Sequence, residues 1–369
     1  MRIQAAVINE RGGAFAIEEV ELDAPQPTEV LVRVVASGIC QTDLHARDGY
    51  FPIPAPAVVG HEGVGIVETV GSGVRSVQPG DRVVMVSPSC GDCANCRADR
   101  SAYCLALPGL KMNGVRADGS STLHRGGQKL GGSFFQQSSL ASHALATERN
   151  VVKVPENVDL EVLASMPCGV STGAGAAINV LGARPGLSFA VLGTGAVGLA
   201  GLMAAKDAGC APIVAVDIKP NRLALARELG ATHALDGSDP DLVGELLKIT
   251  AGRGVQAILD TTAVPEMVKR SVDALAMLGI YCLVGSARGG VEASFEMRVL
   301  QYGRTIRGCI QGDGRPHAFI PELIARYRAG RFPMDRLVTR YAFADINRAA
   351  ADLESGRTIK PVVCMPQGA

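Results

Sequence analysis

Leu187-Ser-Phe-Ala-Val-Leu192-Gly193-Thr-Gly195-Ala-Val197-Gly198 is the stretch that decides the fold class. An apolar strand runs into G-x-G-x-x-G, and the chain then continues as the apolar face of a helix starting at Ala196. Glycine-rich turns are common in a chain with 44 Gly, so the motif alone says little. Its surroundings say more. Pro212-Ile-Val-Ala-Val-Asp217 reads as the next strand, and its terminal carboxylate falls about 20 residues beyond the glycines, where it can accept the ribose hydroxyls of a dinucleotide. Gly193, Gly195, Val197 and Gly198 then let backbone approach a pyrophosphate, which the helix N-terminus favours through its free N–H groups and dipole. Asp217 also repels a ribose 2′-phosphate, so the expected cofactor is NAD rather than NADP.

Outward from this motif, strand and helix alternate. A helix opens at Pro220, residues 255–259 read as a strand, a helix spans 265–278, and further strands lie at 280–284 and 304–310. This alternation predicts right-handed βαβ units in a doubly wound parallel sheet. The first 150 residues differ, with short β signals at 30–36, 64–70 and 81–86 bounded by Gly, Pro and Ser. The tail carries a helix near 320–329 and ends in Ile359-Lys-Pro-Val-Val-Cys, a strand that needs a sheet to join. The β-rich domain is therefore expected to be discontinuous, over 1–169 and 311–369, with the dinucleotide domain inserted at 170–310.

Composition agrees with two soluble domains. The 369 residues are 47% hydrophobic and 20% charged, enough to build large cores and too apolar for disorder. Equal numbers of basic and acidic residues, 36 each, give no electrostatic reason for nucleic acid or an anionic membrane as partner. The uncharged stretches 162–183 and 185–205 are long enough to suggest a membrane hairpin, but Gly193, Gly195, Gly198 and Gly201 interrupt the second where a strand–turn–helix needs them. The N-terminus lacks secretory and transit character, so a cytoplasmic protein is expected, and its ten Cys are not expected to form disulfides.

Four of those cysteines, Cys90, Cys93, Cys96 and Cys104, fall in an irregular stretch at 88–133 that needs support of its own. Four closely spaced thiolates can wrap one tetrahedral Zn²⁺ with no open position, which makes a structural site. Bacterial ferredoxins share the first two gaps, but their third is three residues followed by Pro; here seven residues separate Cys96 from Cys104, and zinc is the better reading. Cys40, His61 with Glu62, and Cys168 form a looser set, and spacing alone would leave them as core thiols and a satisfied imidazole.

The local sequences change that reading. Gly38-Ile-Cys40-Gln-Thr42-Asp43-Leu-His45, Gly60-His61-Glu62-Gly63-Val-Gly65 and Pro167-Cys168-Gly169 resemble the zinc-ligand segments of the zinc-dependent medium-chain alcohol dehydrogenases, and in overall style those of bacteria that act on aromatic and allylic alcohols. The four-Cys lobe and the fingerprint with Asp217 follow the same family order, so the resemblance covers essentially the whole chain. It implies a GroES-like catalytic domain beside a Rossmann domain, with two Zn²⁺ per chain. It also implies that Cys40, His61 and Cys168 hold the catalytic ion, with Glu62 an alternate or nearby carboxylate and Asp43 a group that orients a ligand. Thr42 and His45 match the family's proton relay, with the nicotinamide ribose able to bridge them; Thr172 matches a cofactor contact, and Arg222 and Lys360 match basic positions near the adenosine and pyrophosphate. Gln41 departs from the pattern, standing where many animal members place a basic residue on the pyrophosphate, so faster NADH release is expected. The length of 109–133 resembles that of dimeric members, giving an expected homodimer or homotetramer.

Two thiolates and an imidazole satisfy Zn²⁺ while leaving a fourth position open, as a catalytic site requires. The expected activity is reversible oxidation of a primary alcohol to its aldehyde with hydride transfer to NAD. Val86, smaller than the pocket residue of many animal members, leaves room for a bulky aromatic or allylic substrate. Two alternatives stand beside it: oxidation of a formaldehyde–thiol adduct, which requires a basic anchor for the thiol's carboxylates that the sequence does not single out, and a non-catalytic protein that keeps the zinc and dinucleotide sites. His124, His143, His233 and His317 read as surface or satisfied histidines.

Overall fold

The computed structural model describes residues 1–366. They divide into two compact units: residues 1–168, 315–321 and 335–366 form one, and 169–314 with 322–334 form the other. Segment 322–334 groups with the second unit, where Arg326 and Arg331 both pair with the buried carboxylate of Asp207. No helix among the described residues is long and apolar enough to cross a membrane.

The second unit holds a six-stranded sheet in the order His233–Asp236, Ile213–Asp217, Phe189–Leu192, Val255–Asp260, Leu275–Leu283, Thr305–Gly308. All its pairings are parallel. Phe189–Leu192 and Ile213–Asp217 are buried along their whole length, as strands covered on both faces must be. Connections leave Phe189–Leu192 first toward one sheet edge and later toward the other, so a crevice opens at the carboxyl ends beyond Leu192, Asp217 and Asp260.

Two local expectations are corrected here. The helix expected over 265–278 ends at Ala274, and the chain enters strand Leu275–Leu283 at once. Val255 pairs with Leu275 before the register jumps to Ala257 with Ile280, leaving Met277 and Leu278 exposed and Leu278 at φ 59°. Helical periodicity continues in the sequence across a segment that the neighbouring strand takes up. His233–Asp236, a short and half-exposed strand that the alternation does not mark, is added at the sheet edge.

The first unit is built from a five-stranded sheet and a seven-stranded sheet. Strand Glu29–Gly38 is the hub of the larger one, pairing with Gly63–Val70, His143–Thr147 and the C-terminal strand Lys360–Cys364. These pairings are antiparallel, with Ser37 opposite both Gly63 and Val363. The end of one strand and the starts of two others therefore meet at one edge, and Cys40, His61, Glu62 and Lys360 are the residues just beyond or at those ends. A buried cluster including Val32, Val34, Ile39, Leu44, Met85, Phe134 and Leu140 lies beneath and fixes that edge.

Candidate active site

Cys40 is the residue before helix Gln41–Arg47, in extended conformation, and its backbone N–H donates to Asp43 Oδ2 at 2.9 Å. The other Asp43 oxygen accepts from His61 Nδ1 at 2.8 Å and from the Gly60 N–H at 3.1 Å. Asp43 is fully buried, so one carboxylate ties the helix start to the His61 loop. Gly60 adopts φ 106° with Leu140 backbone against its Cα, a place where no side chain fits. Gln137 holds the same loop from the other side, donating to the His61 carbonyl at 3.2 Å and accepting from the Gly63 N–H at 3.2 Å.

The ligand atoms of Cys40, His61, Glu62 and Cys168 lie within 4.8 Å of one another, and Cys168 reaches the cluster from the wide helical turn Met166–Val170. Because Nδ1 donates to Asp43, the second ring nitrogen of His61 is the one that faces the cluster. That atom, Nε2, is buried and has no hydrogen-bond partner. Burial opposes charge on this ring, but the Asp43 carboxylate and the Cys40 thiolate outweigh it and hold its pKa up to about 10. The same two anions favour a metal cation at Nε2. The Cys40 thiol is held well below its ordinary pKa, first by the hydrogen bond with Cys168 and against burial, so one anionic ligand is already favoured. Two sulfurs and one imidazole form a donor set suited to Zn²⁺.

Glu62 belongs to the cluster, yet both its oxygens also accept from Lys360 Nζ, at 2.8 and 2.6 Å. Burial pushes the Glu62 carboxyl up to about 7, with Lys360 pulling it back. Lys360, matched by resemblance to a basic position near the pyrophosphate, is 2% exposed, and its ammonium donates to both Glu62 oxygens. Thr42 and His45 share helix Gln41–Arg47, three residues apart and on one face. The Thr42 hydroxyl lies 3.7 Å from Cys40 Sγ, and His45 stacks on Tyr50 with ring centres 4.4 Å apart.

Cys90, Cys93, Cys96 and Cys104 form the second cluster, again within 4.8 Å. Backbone N–H groups point at the sulfurs: Cys90 at Cys104, Cys93 at Cys90, and both Cys96 and Leu105 at Cys93, over 3.2–3.5 Å. The N–H groups of Leu105 and Cys96 hold the Cys93 thiol down to about 6. This favours the thiolate form that a structural metal needs.

In the second unit a cavity of about 590 Å³ is lined by Gly193, Gly195, Asp217, Arg222, Thr261 and Arg270, among others. Gly195 faces open space where a Cβ would project into the cavity, the close backbone approach that a pyrophosphate uses. Asp217 Oδ2 accepts the N–H and hydroxyl of Thr194 at 2.7 and 2.8 Å, and Oδ1 accepts the Lys219 N–H at 3.0 Å. Arg222 Nη1 stands 3.9 Å from the same carboxylate, and Thr172 is buried in the short helix Ser171–Gly175. Val197 lies in the first turn of the helix that Gly195 caps.

Several residues packed around these sites escape sequence reading. Phe134 and Phe135 pack on the His61 ring at 5.8 and 4.6 Å, and Lys111 lies over Phe135. They reach His61 through tertiary folding, and no spacing announces them. Thr194, which occupies a variable position of the fingerprint, is likewise unmarked.

The chain resembles known proteins along its whole length. The pattern of the alcohol dehydrogenase GroES-like domain matches residues 26–156, and that of the zinc-binding dehydrogenases matches 196–327. Geraniol dehydrogenase of Castellaniella defragrans is 43% identical over 98% of this chain and 97% of that protein. Benzyl alcohol dehydrogenase from Acinetobacter calcoaceticus has a crystal structure with a TM-score of 0.96, at 44% identity over 99% of this chain and all of that one. A Burkholderia ambifaria alcohol dehydrogenase zinc-binding domain protein matches at 0.97 and 47% identity, with both chains covered completely. The β-rich unit is therefore the GroES-like domain and the parallel-sheet unit the Rossmann-type domain of an enzyme, and the chain belongs to the zinc-dependent medium-chain alcohol dehydrogenase family.

Proposed function

We propose that this chain reversibly oxidises a primary aromatic or allylic alcohol to its aldehyde and passes the hydride to NAD. The buried, unpartnered Nε2 of His61, set among Cys40, Glu62 and Cys168, carries the reading. Zinc bound there would supply a Lewis acid that lowers the alcohol's pKa from about 16 towards 7. Asp43 fixes the ring tautomer of His61 by accepting from Nδ1. Thr42 would take the hydroxyl proton, and His45, one helical turn on, would pass it toward solvent. The names of the geraniol and benzyl alcohol dehydrogenases support the substrate class.

Gly193, Gly195, Val197 and Gly198 form the cradle for the pyrophosphate, with Asp217 and Arg222 beside the adenosine ribose and Thr172 as a further cofactor contact. The four-Cys cluster is proposed to hold a second, structural zinc. A homodimer or homotetramer is the proposed assembly, in the cytoplasm, where thiols stay reduced. Measuring NAD⁺ reduction with aliphatic, benzylic and allylic alcohols tests the reading. Benzylic or allylic alcohols should give the highest kcat/KM; zinc and NADH binding without turnover of any alcohol would point to a non-catalytic protein.

A further inference from the structure

Lys111 lies in the last turn of helix Leu107–Met112, and its ammonium sits over the ring of Phe135, 4.9 Å from the centre. The same Phe135 ring lies 4.6 Å from that of His61, so a single ring separates this cation from a residue of the metal cluster. The arrangement is held in place. Gln136, next to Phe135, donates to the carbonyls of Leu110 and Val115 at 3.1 and 3.0 Å, fastening the helix that carries Lys111 to the turn that carries Phe135. Lys111 is half-buried, and among the described residues no carboxylate pairs with it. Burial pulls its pKa down, with nearby Cys168 opposing. Removing an ammonium from water without an anion is unfavourable unless something else meets it. Phe135 covers one side of the charge and leaves the remaining donors for a ligand.

We propose that Lys111 is a specificity-determining cation that recognises a carboxylate on the alcohol substrate, remote from the hydroxymethyl group. This rests on the alcohol dehydrogenase reading and narrows its substrate class. The reaction is unchanged: the hydroxymethyl carbon loses a hydride to NAD⁺ and its hydroxyl loses a proton to solvent, giving the aldehyde from a ring-borne alcohol or the S-formyl thioester from a thiol adduct, while the carboxylate stays intact. A ring-borne carboxylate and the carboxylates of a thiol adduct share this chemistry, and the choice of probe distinguishes them.

The test compares benzyl alcohol, 4-(hydroxymethyl)benzoate and S-(hydroxymethyl)glutathione on the zinc-loaded parent, Lys111→Met and Lys111→Arg. In Lys111→Met, kcat/KM for the preferred carboxylated probe should fall tenfold or more, mainly through KM, while benzyl alcohol changes less than about twofold. Lys111→Arg should restore most of the loss, which a merely structural role of the side chain would not predict. Whichever carboxylated probe shows the Lys111-dependent loss identifies the source of the anion. Calorimetric binding of 4-(hydroxymethyl)benzoate and S-(hydroxymethyl)glutathione supplies a readout independent of turnover. If neither probe binds or turns over more weakly in Lys111→Met than in the parent, the proposal is overturned. Lys111-dependent binding with no oxidation of any alcohol would uphold the cation's role and overturn the proposed reaction instead.

Discussion

Asp43 accepts the His61 ring N–H on one carboxylate oxygen, at 2.8 Å, and so leaves Nε2 of His61 as the atom that faces the metal cluster. Its other oxygen accepts the Cys40 N–H at 2.9 Å, so one buried acid orders two of the proposed ligands. Asp43→Ala should leave three buried donors unpaired, at about 1–3 kcal/mol each before relaxation. The zinc proposed for this site should bind about 10–100-fold more weakly, as second partners of metal ligands usually do when removed. Competition with a chelator measures this. Unchanged zinc retention would show that Asp43 matters to the fold alone.

Two ligand sets in different surroundings predict two zinc ions per chain. Metal analysis showing one zinc in a fully active preparation would sink that count. Cys96→Ala should remove one ion and lower the melting temperature, because the small Cys96, Cys104 and Leu107 core packs around the sulfurs and has little else to hold it. Cys168→Ala should leave that ion in place and abolish turnover. Acidification should release both metals as the thiolates take up protons. In the four-Cys lobe, Cys93, held down to about 6, resists protonation to lower pH than an ordinary thiol does.

Asp217 holds the glycine turn, and its substitution will show whether it also reads the ribose. Its carboxylate already bonds Thr194 and Lys219, yet each carboxylate oxygen has two acceptor positions, which leaves capacity for ribose hydroxyls. Asp217→Ala should slacken the glycine turn and raise KM for both cofactors. It should also lower the ratio of kcat/KM for NAD over NADP by roughly 10–100-fold, since the hydroxyl acceptor and the charge that repels a 2′-phosphate are lost together. A fall in activity at constant ratio would mean that Asp217 supports the turn and does not read the ribose.

The parallel sheet was legible because each part of it is local: an apolar run, a glycine turn and a helix start lie in one stretch ending at Gly198. The two metal clusters differed in this respect. Cys90 to Cys104 announce themselves by spacing, whereas Cys40 and His61 are brought together by the antiparallel pairing of Ser37 opposite Gly63, and Cys168 joins them from the distant turn Met166–Val170, an arrangement that no local pattern contains. Their assignment from sequence therefore leaned on family resemblance. Lys360 shows a contact that neither spacing nor resemblance announces. A basic residue at the right position in the strand is turned inward to Glu62, and only the packed structure reveals which anion it meets. The helix end at Ala274 was lost for a related reason, since strand pairing with Val255 overrides the helical periodicity that follows.

Thr42 and His45 provide the last prediction. They stand three residues apart on helix Gln41–Arg47, the Thr42 hydroxyl is 3.7 Å from Cys40 Sγ, and the hydroxyl can both accept and donate a proton. His45 stacks on Tyr50 and meets the edge of Phe51, so its ring is held in place rather than free in solvent. A relay of this kind matters most where hydroxide is scarce. Near pH 7 an imidazole can still take a proton from the hydroxyl and return it to water, while at high pH hydroxide does so directly. His45→Gln should therefore lose roughly tenfold or more in turnover near pH 7 and regain most of it by about pH 10. Thr42→Ala removes the group proposed to touch the reacting oxygen and should lose about 100-fold or more across the same range, with no rescue. Equal activity ratios of His45→Gln to parent between about pH 6 and pH 10 would remove His45 from proton transfer and leave it as the packing partner of Tyr50.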